Sequence, residues 1–156
     1  MSLRLASEAF GEGTPIPARH TADDRDASPP LSWTDAPEGT KSFALVCDDP
    51  DAPAGTWVHW VLYNVPGSRR KLEEGVPALA DLPDGSRQGV NDFRRVGYGG
   101  PSPPPGKAHR YYFRLYALDG SLEVTAQPRK GEVISAMKGH VLAEAQLMGT
   151  YQRARR

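Results

Sequence analysis

One short apolar stretch decides the fold of this chain: Trp57-Val58-His59-Trp60-Val61-Leu62-Tyr63. Its large apolar residues occupy both alternating faces, whereas a strand with one face toward water alternates apolar and polar residues. The stretch therefore predicts a central strand, over 57–65, that is covered on both faces of its sheet. Strict alternation also places His59 on the same face as the aromatic residues Trp57 and Tyr63.

The segments around this strand are ordered as in a mostly β protein. Runs of β-branched and aromatic residues predict strands over 42–47, 110–118 and, more weakly, 122–124. The pair Asp119-Gly120 favours a two-residue hairpin turn, so the segments 110–118 and 122–124 are expected to pair antiparallel. Strands do not alternate with helices along the chain, and we therefore predict a mostly β, antiparallel fold.

Helical spacing appears only at the C-terminal end of the sequence. Apolar residues recur there at intervals of three and four in two groups separated by Gly139: Val133, Ala136 and Met137, then Val141, Leu142, Ala145 and Met148. We predict two short C-terminal helices, and Gly139 is the candidate for the left-handed residue that ends the first of them.

The composition indicates one soluble folding unit over residues 1–156. The 19 Lys and Arg residues balance the 19 Asp and Glu residues, so no net charge attracts nucleic acid or an acidic membrane. The basic clusters at 69–71 and 153–156 are interpreted as solvated surface. Residues 1–11 lack the apolar core of a signal peptide, and no apolar run is long enough to span a membrane. We expect a cytoplasmic protein without integral membrane association.

Two loops carry residues suited to binding a ligand. The turn Asp48-Asp49-Pro50-Asp51-Ala52-Pro53 groups three carboxylates on a backbone that its prolines restrict. The segment Tyr98-Gly99-Gly100-Pro101-Ser102-Pro103-Pro104-Pro105-Gly106 has glycines that let a ligand approach the backbone, where N–H groups could bind an anion. An ordinary surface turn and a stiff polyproline connector remain the alternatives for these two loops.

Two histidines lie in predicted strands near these loops. His59 interrupts the central strand, and His109 precedes the strand that carries Tyr111 and Phe113 on the same face. If the two strands are neighbours, the rings form one cationic, hydrogen-bonding patch close enough to share a ligand. The alternative is that each histidine is a buried structural residue.

Metal binding and catalysis have no support in the sequence. Asp49, Asp51, His59 and His109 could supply metal ligands, but no spacing typical of a metal site is present. No nucleophile elbow occurs, and Cys47, the only cysteine, lies in a predicted strand without a nearby base. We therefore expect no metal, no cofactor and no catalytic residue, and a single cysteine cannot form an intramolecular disulfide.

Taken in order, the motifs of the chain resemble those of the phosphatidylethanolamine-binding (Raf kinase inhibitor-like) protein family. The match extends over nearly the whole sequence, and the short link from Pro53 to Trp57 resembles the prokaryotic branch. The matching motifs are Ser28-Pro29-Pro30-Leu31-Ser32-Trp33, Asp49-Pro50-Asp51-Ala52-Pro53, Val58-His59-Trp60, Gly97-Tyr98-Gly99-Gly100-Pro101-Ser102-Pro103-Pro104, His109-Arg110-Tyr111, Met137-Lys138-Gly139-His140-Val141-Leu142-Ala143 and Gly149-Thr150-Tyr151.

This resemblance implies two packed β-sheets with peripheral helices and a pocket that binds phosphate, acetate or phosphoethanolamine-like anions. It implies a binding protein rather than an enzyme, one that modulates a kinase or protease and forms a homodimer. Carried over position by position, the ligand-binding residues are Asp49, Ala52, Pro53, Trp57, His59, Gly100, Ser102, Pro103, His109 and Tyr111.

Two positions depart from the family pattern, and one alternative function stays open. Relatives of this branch usually have cysteine where Ser102 stands and glycine where Asp24 stands, so a thiol-based redox role is in doubt for this chain. The alternative function is a small phosphoester hydrolase that uses Asp49 with His59 or His109 as acid and base.

Overall fold

The computed structural model describes residues 2–153 of the chain. This part forms eight strands, a short 3-10 helix at Ala18–His20 and one α-helix, α1, at Lys130–Met137. The strands are β1 (Arg4–Ala6), β2 (Leu31–Thr34), β3 (Ser42–Asp49), β4 (Trp57–Pro66), β5 (Lys71–Leu72), β6 (Arg87–Gln88), β7 (His109–Leu118) and β8 (Val141–Tyr151).

The strands make two antiparallel sheets, which confirms the predicted fold class. The smaller sheet has the order β1-β2-β5, and the larger has the order β6-β4-β3-β7-β8. A core of buried apolar residues joins the two sheets, with Leu31 and Trp33 from the smaller sheet against Phe43, Phe113 and Leu115 from the larger. Strand β3 therefore lies at the centre of the larger sheet, between β4 and β7.

The prediction that the stretch 57–65 is covered on both faces is confirmed. Trp60 and Leu62 belong to the core between the sheets, whereas Val61 and Tyr63 pack on the opposite face in a second cluster that includes Val133 and Met137 of α1. None of these four β4 side chains is exposed to solvent. Burial of large apolar side chains on both faces is what selects β4 for the interior of the sheet.

A β-bulge in β4 changes the direction of His59. Cys47 of β3 pairs with Trp60 and the next residue, Asp48, pairs with Val58, so His59 is an extra residue on β4. The expectation that His59 shares a face with Tyr63 is therefore wrong. Its ring contacts that of Tyr111, with 5.2 Å between centroids, on the face of the core between the sheets, whereas Tyr63 packs on the other face.

The C-terminal part of the chain corrects two predictions and confirms one. Helix α1 forms where the spacing predicts it, and Gly139 follows it with a φ of 81°, as expected of the residue that ends the helix. The second predicted helix is wrong, because residues 141–151 form β8, which pairs antiparallel with β7 along its whole length. The predicted strand at 122–124 is also wrong, because these residues form no strand. The main-chain N–H and carbonyl of Leu122 are instead hydrogen-bonded to the side-chain amide of Asn64.

Membrane insertion through a helix has no candidate in the part of the chain that the structure describes. No helix within residues 2–153 combines the length and the apolar character that crossing a bilayer requires.

Candidate functional site

The three central strands of the larger sheet meet at one end around a cavity of about 210 Å³. Because β3 runs antiparallel to both neighbours, its last residue, Asp49, lies beside the first residues of β4 and β7, Trp57 and His109. Two loops complete the wall. The lining residues are Asp49, Ala52, Pro53, Trp57, His59, Phe93, Ser102, Pro103, Pro104, His109 and Tyr111. All of the predicted site residues except Gly100 are therefore brought together, and His59 and His109 face one cavity.

Asp49 orients His109. One oxygen of the buried carboxylate, Oδ2, accepts a hydrogen bond from Nδ1 of His109 at 2.7 Å, and the other, Oδ1, accepts the main-chain N–H of Asp51 at 2.7 Å. Both carboxylate oxygens are thus engaged by the protein. The bond to Nδ1 leaves Nε2 as the ring nitrogen of His109 that is available to the cavity.

Asp51 pairs with Arg110 at the surface beside the cavity and does not line the cavity. Its carboxylate accepts hydrogen bonds from the guanidinium and the main-chain N–H of Arg110, at 2.8 and 2.9 Å. These bonds hold the pKa of Asp51 at about 2. The ion pair fixes the start of β7 against the turn after β3, and it keeps Asp51 outside the cavity lining.

His59 is held by the opposite wall. Its Nδ1 donates to the carbonyl oxygen of Gly99 at 2.6 Å, and its ring lies edge-on to Phe93 with 5.4 Å between centroids. Only 3% of the residue is exposed. Burial lowers the pKa of His59 below its ordinary 6.5, although the Gly99 carbonyl, Asp49 and Asp26 favour the protonated ring. The ring is therefore more readily neutral than an exposed histidine.

Gly100 does not line the cavity but packs against the segment 20–26 behind it. Its N–H donates to Oδ1 of Asp26 at 2.7 Å, so this amide is used within the protein and does not face a ligand. A side chain on Gly100 would meet the carbonyl oxygen of His20 and would lie 2.6 Å from Oδ1 of Asp26. Glycine is required here because the loop that carries the Gly99 carbonyl packs closely on the segment 20–26.

Two hydrogen-bond donors of the cavity wall are buried without a partner. The indole Nε1 of Trp57 and the hydroxyl of Tyr111 have no hydrogen-bond acceptor among residues 2–153. Burial raises the pKa of the Tyr111 hydroxyl, which therefore keeps its proton, and the positive charge of Arg153 opposes this effect without overcoming it. A buried, unpaired donor costs about 1–3 kcal/mol, and a hydrogen-bond acceptor placed beside it would remove that cost.

Sequence reasoning missed three residues at the site. Phe93 and Pro104 line the cavity, and the guanidinium of Arg153 lies at its edge, bonded to Asp23 at 2.6 Å and 3.3 Å from the Ser102 hydroxyl. Of the basic cluster 153–156, Arg153 is partly exposed and pairs with Asp23, and residues 154–156 lie outside the described part of the chain. Phe93 gave no signal because it follows no motif and belongs to no predicted strand.

Metal ligands do not gather at the site or elsewhere in the described chain. Within residues 2–153 no group of three or more His, Cys, Asp or Glu side chains is arranged to hold a metal ion. Cys47 is buried under the site, and burial raises the pKa of its thiol well above the ordinary value. The side chains of the cavity that can form hydrogen bonds with a ligand include Trp57, His59, His109 and Tyr111.

These features define a class of mostly β proteins, with two antiparallel sheets and a cavity at one end of the central strands of the larger sheet. The model of the phosphatidylethanolamine-binding protein family matches residues 6–152. This chain belongs to the phosphatidylethanolamine-binding protein family.

Relatives and solved structures agree over almost the full length. A UPF0098 protein of Methanothermobacter thermautotrophicus is 52% identical over 151 residues, which cover 97% of this chain and 99% of the relative. A UPF0098 protein of Aquifex aeolicus is 46% identical and covers 97% of this chain and 89% of its own.

The crystal structure of a phosphatidylethanolamine-binding protein homologue from Chlamydia trachomatis superposes with a TM-score of 0.89 at 39% identity, covering 97% and 98% of the two chains. That of YbcL from Escherichia coli, a member of the same family, gives a TM-score of 0.90 at 32% identity, covering 98% and 99%.

Proposed function

We propose that this protein binds a small anion, of the phosphate, acetate or phosphoethanolamine type, in the cavity at the end of β3, β4 and β7, and that it acts as a binding protein rather than an enzyme. The observation that carries the proposal is the pair of buried donors without partners, the Trp57 indole N–H and the Tyr111 hydroxyl. An anion between them would accept both hydrogen bonds and remove the cost of leaving them unpaired.

The other wall residues set the size and the electrostatics of the pocket. Ala52, Pro53 and Pro103 are small or rigid apolar walls, which exclude water and strengthen each hydrogen bond to the ligand. The Asp49 carboxylate would repel an anion in direct contact, but its two oxygens are occupied by His109 and the N–H of Asp51. Asp49 therefore acts on the anion through His109.

Replacing Tyr111 by phenylalanine tests the donor directly. The change removes one hydroxyl and keeps the ring, so we expect phosphate affinity, measured by isothermal titration calorimetry, to fall by about two- to tenfold. The free energy of unfolding should stay the same or rise slightly, because the hydroxyl has no partner within residues 2–153.

Tyr112→Phe is the matched control, since this neighbouring hydroxyl contacts Nη1 of Arg110 and lies outside the cavity lining. Phosphate affinity that is unchanged in Tyr111→Phe and in Trp57→Phe would contradict the proposed site.

The affinity for an anion of fixed charge should decrease as the pH rises. Sulfate keeps its charge from about pH 5.5 to about pH 8.5 and has no proton to donate, so it needs protonated imidazoles. Burial lowers the pKa of His59, so the loss of affinity should begin below pH 6.5. Above the pKa that the ring has in the complex, affinity should be constant again. Calorimetric titration with sulfate across this range measures the profile, and equal affinity at both ends would remove the histidines from the binding mechanism.

The other roles expected from the sequence stay predictions. Modulation of a kinase or protease would require the rim of the pocket to bind a side chain of the partner, and a pull-down compared with a Tyr111→Phe variant would detect it. Hydrolysis of phosphoesters would require turnover that is abolished by His59→Ala or His109→Ala.

A further inference from the structure

The hydrogen-bond roles of both pocket histidines are fixed by the protein. The carbonyl of Gly99 can only accept, so Nδ1 of His59 carries a hydrogen, and the Asp49 carboxylate accepts from Nδ1 of His109 in the same way. In a neutral imidazole only one nitrogen carries a hydrogen. The two Nε2 atoms are therefore hydrogen-bond acceptors whenever the rings are neutral.

The Asp49 carboxylate is in direct contact with one pocket ring, at 2.7 Å from Nδ1 of His109. Asp49 and Asp26 favour protonation of His59, while burial between Phe93 and Tyr111 opposes it with the larger effect. His109 stacks on Tyr111 and faces Asp49. Arg153 acts on the Tyr111 side of the cavity, where Asp23 neutralises its charge.

We propose that the pocket selects oxyanions that carry their own proton, and so favours phosphate over acetate, because it combines two acceptors, Nε2 of His59 and Nε2 of His109, with two donors, the Trp57 indole N–H and the Tyr111 hydroxyl. Dihydrogen phosphate has two hydroxyls and two bare oxygens, which match the two acceptors and two donors in number. A phosphomonoester monoanion has one hydroxyl and can match three of the four groups. This inference rests on the proposed anion-binding function and adds the ionisation state of the ligand.

Sulfate is the informative counterexample. It resembles phosphate in size and shape but has four bare oxygens, so in the neutral pocket two of them would face the lone pairs of the Nε2 atoms. Binding sulfate therefore requires protons on the rings, at the cost of placing charge on buried groups. Leaving a buried acceptor without a donor costs about 1–3 kcal/mol, which corresponds to a preference for phosphate of about 5- to 150-fold.

The test is the ratio of phosphate to sulfate affinity at neutral pH, measured by calorimetry on the unaltered protein. We expect a ratio of about 5 or more when phosphate is counted as its monoanion. His109→Gln should lower the ratio, because the glutamine amide can donate to sulfate where the imidazole cannot, while Nε2 of His59 still accepts. His140→Gln is the matched control, since this exposed histidine pairs with Asp119 far from the cavity lining, and its ratio should not change.

A measurement that needs no variant locates the proton. Nitrogen-15 NMR of the histidine rings distinguishes the neutral Nδ1–H form from the imidazolium, and in the phosphate complex both pocket rings should be neutral. Doubly protonated rings in that complex, or equal affinity for sulfate and phosphate at neutral pH, would overturn the selection. Absence of binding by either anion would overturn the proposed function as well, so the two failures are distinguishable.

Discussion

Replacing Asp49 by asparagine should weaken phosphate binding by about tenfold to a hundredfold, because a hydrogen bond to a charged group contributes about 1.5–3 kcal/mol. The carboxylate has two acceptor oxygens, which receive the Asp51 N–H and Nδ1 of His109. Asparagine has only one, so one of the two donors loses its acceptor. The main-chain N–H is fixed, and the His109 ring is the group that must change.

The same substitution should affect sulfate differently. If the asparagine N–H₂ group faces Nδ1 of His109, this nitrogen becomes the acceptor and the proton moves to Nε2, which then donates into the cavity. Sulfate affinity should therefore hold or rise while phosphate affinity falls, and both are measured by calorimetry on the same sample. Asp51→Asn is the control, because its side chain pairs with Arg110 and its N–H to Asp49 is retained. Parallel loss of both anions in Asp49→Asn, with an intact thermal transition, would contradict the orienting role.

The parts of the fold that sequence reasoning found are those set by local pattern. Strands β3 and β4 are buried on both faces, as expected of central strands, whereas β7 largely alternates buried residues with partly exposed ones. Strand β8 was missed because its residues favour helices, while its pairing partner, β7, is more than twenty residues away in sequence. The alternation of Ala143, Ala145 and Leu147 facing the core is the signal that could have identified it.

The site could be predicted as a set of residues but not as an arrangement. Asp49, His59 and His109 stand out by residue type and by resemblance, and strand order brings them together. The face on which the His59 side chain lies depends on a β-bulge, because one extra residue in β4 shifts the alternation of side chains. The apolar pattern of the sequence does not reveal this bulge. Phe93 lines the cavity and Arg153 lies at its edge, both from distant segments and through tertiary contacts that a local pattern does not encode.

Adding one methyl group at Gly100, in the loop behind the cavity, should have a large effect on stability and on phosphate affinity. Gly100→Ala would bring a methyl group against the His20 carbonyl and to 2.6 Å from Oδ1 of Asp26, and neither neighbour is the free end of a flexible chain. Overpacking of this kind costs about 1–3 kcal/mol, so the free energy of unfolding, measured by urea denaturation, should fall by that amount. Phosphate affinity should fall as well, because relief of the clash moves the Gly99 carbonyl that fixes the His59 ring.

Gly131→Ala provides the matched control for this substitution, since a methyl group there meets no atom within 4 Å. Gly131 lies in α1, where alanine is favoured over glycine by about 0.5–1 kcal/mol, so this variant should be more stable and bind phosphate normally. The pair separates a local steric effect from a general effect of adding a methyl group. If Gly100→Ala bound phosphate with unchanged affinity, His59 would not depend on the position of the Gly99 carbonyl, and the acceptor role of its Nε2 would lose its structural basis.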